Sequence, residues 1–212
     1  MLVLASASPR RRDLLTQAGY TFQVIPAEVC EDVRPGEAPI PYVLRLAREK
    51  AEAVAHSPEL LALAAGAADS AVVLGADTTV VAPTGEILGK PENDTDAARM
   101  LRMLSGATHQ VITGLAVVAA GAIEVAAEVT HVTFSSLSDE NIAGYIASGE
   151  SHGKAGAYAI QGRAARWIPR IHGCYFNVVG LPLALAASMI DAAQRRRTVE
   201  AAAQSALFAK RA

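Results

Sequence analysis

Residues 111–134, VITGLAVVAAGAIEVAAEVTHVTF, constrain the fold more than any other stretch. They form two long apolar, β-branched runs that meet at Gly121. Such residues favour a pleated backbone, and a glycine between two runs marks a turn. The segment therefore reads as two long strands joined as a hairpin. Elsewhere strands and helices interleave. Leu2–Ala5 is a short buried strand. Ser8 then takes the N-cap position, Pro9 the first helical position, and Gly19 closes the helix. Residues 20–27 suggest a second short strand, and CEDVRPGEAP a polar loop. IPYVLRLAREKAEAVA is an amphipathic helix starting near Pro41. Residues 56–70 are Ala-rich and read either as helix or as a surface insertion. AVVLGADTTVVA is a strand with a break at Gly-Ala-Asp. A helix follows with Asp94 as cap and Gly106 as stop, and another is capped by Ser138. CYFNVVGLPLALAASMIDAAQ reads as a strand running into a helix. The pattern predicts an α/β fold with a mixed sheet, in one domain over residues 1–195 with a polar tail at 196–212.

With 212 residues the chain can build one sizeable domain, with room for two lobes. Its formal net charge of −2 creates no overall positive field, which argues against a nucleic-acid polymer as partner. Cys30 and Cys174 are the only cysteines, with neither a disulfide framework nor zinc-type spacing, so a reduced, cytoplasmic setting is expected. Ser6, Ser8 and Arg10 interrupt any signal-peptide core, and no apolar run has the length of a membrane span.

Against that balance, Arg10, Arg11 and Arg12 are unusual, because three cations in the first turn of a helix oppose its dipole. A strand, a serine turn and a helix N-terminus expose free backbone N–H groups, and arginine matches phosphate oxygens. LASASPRRRDLL thus reads as a phosphate cradle, or alternatively as a solvated basic turn capped by Ser8. Lys50 is the one charge on the helix face formed by Val43, Leu46, Ala47 and Val54. It either snorkels past the stripe or serves a site. Asp77 sits among residues that belong inside on both faces, where an unpaired carboxylate costs several kcal/mol. It therefore needs a cation, a metal or a hydrogen bond. Glu31 and Lys90 lie in polar turns. Gln161 has the paired donor and acceptor that read a base edge, and is equally an ordinary loop amide. Trp167 reads as core, and the five histidines share no metal-ligand spacing.

LASASPRRRDLL, YVLRLAREKA, VLGADTTV, LGKP, MLRMLSGATHQVITG, KAGAYAIQG and NVVGLPL occur in that order. On these motifs the chain resembles the Maf family of nucleoside triphosphate pyrophosphatases along nearly its whole length. The resemblance implies a hydrolase that cleaves between the α- and β-phosphates, aided by a divalent metal, magnesium or manganese. It implies an elongated α/β fold with two lobes around a central cleft, similar to the inosine triphosphate pyrophosphatases, and often a homodimer. Position by position, Ser6, Ser8, Arg10 and Arg11 would line the phosphate site. Glu31, Lys50, Asp77 and Lys90 match catalytic and metal-site positions, with Asp77 and Glu31 the metal carboxylates. Asp77 would accept a proton, hold the metal, or both. Arg10, Thr78 and Gln161 match specificity positions. GADT with IQG resembles the branch acting on dTTP, UTP and modified pyrimidines. A pyrophosphatase for non-standard purine triphosphates or 7-methyl-GTP remains the alternative enzyme. A non-catalytic nucleotide-binding regulator of cell division is the other alternative. The long 56–70 stretch and Arg163, Arg166, Trp167 and Cys174 depart from the family pattern.

Overall fold

The computed structural model describes residues 1–64 and 71–209. Seven strands form one mixed sheet. β1 (Leu2–Ala5) lies between β2 (Phe22–Val24) and β3 (Val72–Val81), parallel to both. The hairpin of β5 (Thr108–Ala119) and β6 (Ala122–Thr133) adds antiparallel to β3. β7 (Arg170–His172) pairs with the end of β6, and β4 (Ile87–Leu88) folds back on Val80 and Val81. The chain visits β2 on one side of β1 and β3 on the other, and α/β sheets bind ligands where strand order reverses in this way.

Beyond β1 the edge of β3 lies open. β1 covers Val72 to Gly75 and β4 covers Val80 and Val81, so among the described residues positions 76–79 pair only with β5. Asp77 and Thr78 point to opposite faces of the sheet, and both flank this gap.

Seven α-helices occur among the described residues. α2 (Pro39–Ala55) covers one face of the sheet, and its Tyr42, Val43, Leu46, Ala47, Ala51 and Val54 are buried. They meet Val3, Ala5, Val73, Val81, Ile112 and Ala116. On the other face Leu2, Leu4, Leu74, Val80, Leu115 and Val117 share a core with α1 (Pro9–Gln17), α4 (Asp94–Leu104), α5 (Asp139–Ala147), α6 (Tyr175–Val179) and α7 (Leu183–Ala209). Two glycines let α2 approach unusually closely. A Cβ on Gly75 would overlap the Ala47 carbonyl oxygen, and one on Gly114 would stand 2.5 Å from the Val43 carbonyl carbon. Gly114 is the cross-strand partner of Asp77, so the backbone of α2 rides directly over the acidic position.

Several sequence expectations are corrected. β3 runs unbroken through Gly-Ala-Asp, because Gly75 seats the helix and Asp77 finds a partner. α2 starts at Pro39. Asn93, not Asp94, caps α4, its side chain accepting from Asp96 N at 2.9 Å. Ser8 occupies the N-cap of α1 without a side-chain capping bond. Tyr175–Val179 is helical rather than extended, and the strand precedes it at Arg170–His172. In the Ala-rich stretch, α3 (Pro58–Leu63) is capped by Ser57, and residues 65–70 lie outside the described residues. The backbone helix of α7 extends across most of the segment read as a tail. No helix among the described residues is long and apolar enough to cross a membrane.

Candidate active site

The three consecutive arginines diverge because a helix turns 100° per residue. Arg11 is three and four residues before the buried Leu14 and Leu15, so it points inward with them. Its Nε donates to the Gly180 carbonyl at 2.9 Å, and its two terminal nitrogens donate to Ser6 Oγ at 3.1 Å and Thr78 Oγ1 at 3.0 Å. Arg11 is thus a brace joining β1, β3 and the turn after α6. Thr78 extends the brace, with Thr113 Oγ1 at 2.8 Å. Arg12 points to solvent beside Asp13. Arg10, half-buried, faces a cleft of about 450 Å³ and has no hydrogen-bond or ion-pair partner among the described residues.

That cleft opens over the free edge of β3. Ser6, Ser8, Arg10, Arg11, Glu31, Lys50, Asp77, Thr78 and Lys90 all line it. Ser6 Oγ also accepts from Ser8 N at 3.2 Å, which shapes the turn into α1. On the α2 face, Lys50 joins two carboxylates. Its ammonium donates to Asp77 Oδ1 at 2.7 Å and to Glu31 Oε1 at 2.6 Å. Lys90 completes the chain at Glu31 Oε2, 3.0 Å away. The lone charge on the apolar stripe of α2 is therefore part of the site, and the buried Asp77 has the cation it requires.

Glu31 stands on a loop that α2 fixes. Tyr42 Oη donates to the Glu31 carbonyl at 2.8 Å, and Arg45 grips Glu37 with Nε at 2.6 Å and a terminal nitrogen at 2.7 Å. Electrostatics separates the two carboxylates. Burial raises the Asp77 carboxyl above the ordinary range, with Lys50 and then Arg11 opposing it. Burial would raise Glu31 as well, but hydrogen bonds from Lys50 and Lys90 bring it down to about 2. Glu31 is a permanent anion, while Asp77 is the better proton acceptor.

Three site residues do not emerge from the sequence pattern. Tyr42 is one, although its place next to Val43 at the start of α2 is a usable signal. Lys154 and Tyr158 are the others, and they line the cleft from the segment KAGAYAIQG. Gln161 is not brought to the site: it is exposed and outside the cleft lining, because the chain leaves the cleft after Tyr158. Trp167 is buried beside Tyr145, as expected of a core residue.

A family model described as Maf-like protein matches residues 1–193. The chain belongs to the Maf family. Three curated relatives of this Maf chain are each named dTTP/UTP pyrophosphatase. The protein from Pelotomaculum thermopropionicum is 50% identical over 191 residues, 89% of this chain and 94% of its own. That from Koribacter versatilis is 50% identical over 183 residues, 86% of this chain and 89% of its own. That from Hahella chejuensis is 50% identical over 182 residues, 86% and 87% of the two chains.

The carboxylates also suit the metal that the family resemblance implies. No group of three or more potential ligands occurs among the described residues, so the protein alone builds no closed cage. Asp77 Oδ2 takes no hydrogen bond among them, and Asp77 and Glu31 flank one ammonium. Magnesium characteristically binds through one or two carboxylates plus substrate phosphates, and this donor set fits that mode.

Proposed function

We propose that the protein hydrolyses dTTP, UTP and modified pyrimidine triphosphates to the nucleoside monophosphate and pyrophosphate. The observation that carries this reading is the chain Asp77–Lys50–Glu31–Lys90 along a cleft that Arg10 also lines. The names of relatives at 50% identity support the pyrimidine substrates. Gln161 lies outside the lining of this cleft, so the pyrimidine reading rests on the relatives' names.

In this reading a water oxygen bonds to the α-phosphorus, the bond to the α–β bridging oxygen breaks, and pyrophosphate leaves. Asp77 Oδ2 accepts the water's proton. Lys50 holds Asp77 in place through Oδ1 and leaves Oδ2 free. Glu31 stays ionised and fixes both lysines, and Lys90 adds positive charge beside the phosphates. Magnesium or manganese, held by phosphate oxygens and the Glu31 carboxylate beside Asp77, would neutralise charge on the triphosphate and leave Asp77 Oδ2 to the proton. The two unpaired cysteines support a reduced, cytoplasmic workplace.

The test is pyrophosphate release with magnesium or manganese across dTTP, UTP, CTP, ITP, GTP and 7-methyl-GTP. Release favouring dTTP and UTP is the expected result. Release from the purines alone would leave the chemistry and overturn the substrate. Nucleotide binding without any release would favour a non-catalytic regulator.

A further inference from the structure

The charges lining the cleft do not all balance within the protein. Lys50 and Lys90 are matched by Asp77 and Glu31. Arg10 and Lys154 line the same cleft, and neither has an ion-pair partner among the described residues. Among the described residues the Lys154 ammonium donates only to the His152 carbonyl, at 3.3 Å. Burial, and then the charge of Arg10, lowers its hold on the proton, with the more distant Glu150 carboxylate opposing them. Two like charges facing one partly desolvated space are arranged to receive an anion.

Lys154 is also held there by its own backbone. The strap that carries it is tied down where Gly156 N donates to the Gly89 carbonyl at 3.1 Å, one residue before Lys90. A Cβ on Gly156 would stand 2.9 Å from the Val80 side chain. Ala157 follows in the left-handed region at φ 58°, although it is not glycine, and it is fully buried. Such a conformation persists only where packing enforces it, and it clusters at binding sites. The strap is thus pinned against β3 and the Lys90 turn, with its lysine facing Arg10.

We propose that Lys154, together with Arg10, binds the pyrophosphate half of the substrate, the β- and γ-phosphates that depart. Neither cation bonds Asp77 or Glu31, whereas the α-phosphate must lie at Asp77, where the water is deprotonated. The phosphates these two cations reach are the ones beyond it. This inference rests on the pyrophosphatase reading and assigns a binding role to a residue of that site.

The test compares wild type with Lys154→Gln and Lys154→Arg. Inorganic pyrophosphate with magnesium is titrated calorimetrically into each protein, and pyrophosphate and dTMP are measured as inhibitors of dTTP turnover. Lys154→Gln should weaken pyrophosphate binding by roughly tenfold or more and leave dTMP inhibition unchanged. Lys154→Arg should recover most of the loss. Unchanged pyrophosphate binding, or equal losses for pyrophosphate and dTMP, overturns the assignment. The titration needs no turnover, so it reads Lys154 even if dTTP is not hydrolysed, and the two failures stay distinct.

Discussion

Replacing Gly75 with alanine tests the contact that delivers Lys50 to Asp77. The new Cβ would overlap the Ala47 carbonyl oxygen and stand 2.8 Å from Ala51 N and 2.9 Å from Ala51 Cβ. Non-bonded carbons settle about 3.5–4.0 Å apart, so α2 must retreat by at least about 0.6 Å near Ala51. Overpacking of this kind costs about 1–3 kcal/mol. Each kcal/mol lowers Tm by about 2–4 °C in a domain of this size. Lys50 is the chain neighbour of Ala51 and holds Asp77 Oδ1 at 2.7 Å. The same retreat would stretch that bond towards about 3.3 Å, outside the usual range for a charge-assisted bond. Thermal melts by circular dichroism, paired with pyrophosphate release, should therefore show Tm and kcat falling together. Gly144→Ala is the control, since its Cβ meets nothing within 4 Å inside α5, and alanine favours a helix. Wild-type Tm and kcat in Gly75→Ala would refute the close-approach argument.

Two further predictions concern buried charge. Lys50→Met removes the ammonium shared by Asp77 and Glu31 and should cost about 3–5 kcal/mol, as breaking a buried pair does. Adding Asp77→Asn should recover part of that stability and none of the activity; urea unfolding at the wild-type midpoint in Lys50→Met alone would contradict the bridge's role. His109 is buried with Nε2 against Tyr158 Oη at 2.8 Å, and burial lowers its pKa from 6.5 to about 4. The unfolded chain binds a proton that the folded protein refuses in this window. Stability is therefore full above pH 6.5 and declines as pH falls towards 4. At about 1.4 kcal/mol per pH unit, the loss is about 3 kcal/mol. His109→Phe should flatten this slope in urea midpoints measured between about pH 7 and about pH 4; an unaltered slope would exclude His109 as its source.

The parts of the fold legible in the sequence are those fixed by local chemistry. Pro9 behind a serine turn starts α1, Ser138 caps α5, and Gly121 closes the hairpin. Where the deciding partner is distant in sequence, local pattern misleads. Gly75 and Asp77 suggest a break in β3, since both are poor strand formers. The helix backbone over Gly75 and the ammonium of Lys50 outweigh that preference. Residues 175–179 look like a strand by composition, yet Gly180 at φ 132° ends a short helix there and offers its carbonyl to Arg11. Asp77, Lys50, Glu31 and Lys90 are each ambiguous alone, and three-dimensional contact makes them one chain. The arginine triplet holds a further signal, because its spacing to Leu14 and Leu15 already separates inward Arg11 from outward Arg12. Lys154 is silent in the sequence because one lysine in a glycine-rich turn carries no periodic signal, and only the strap against Gly89 and Val80 gives it direction.

The central claim is that Asp77, held by Lys50, accepts the proton of the water that cleaves between the α- and β-phosphates. The most direct measurement is the product yield from dTTP and UTP, comparing wild type with Asp77→Asn at equal folded concentration. The account predicts one monophosphate per pyrophosphate from wild type and no orthophosphate, with turnover abolished in a variant that melts like a folded protein. Orthophosphate as the product, or substantial turnover by Asp77→Asn, would contradict it.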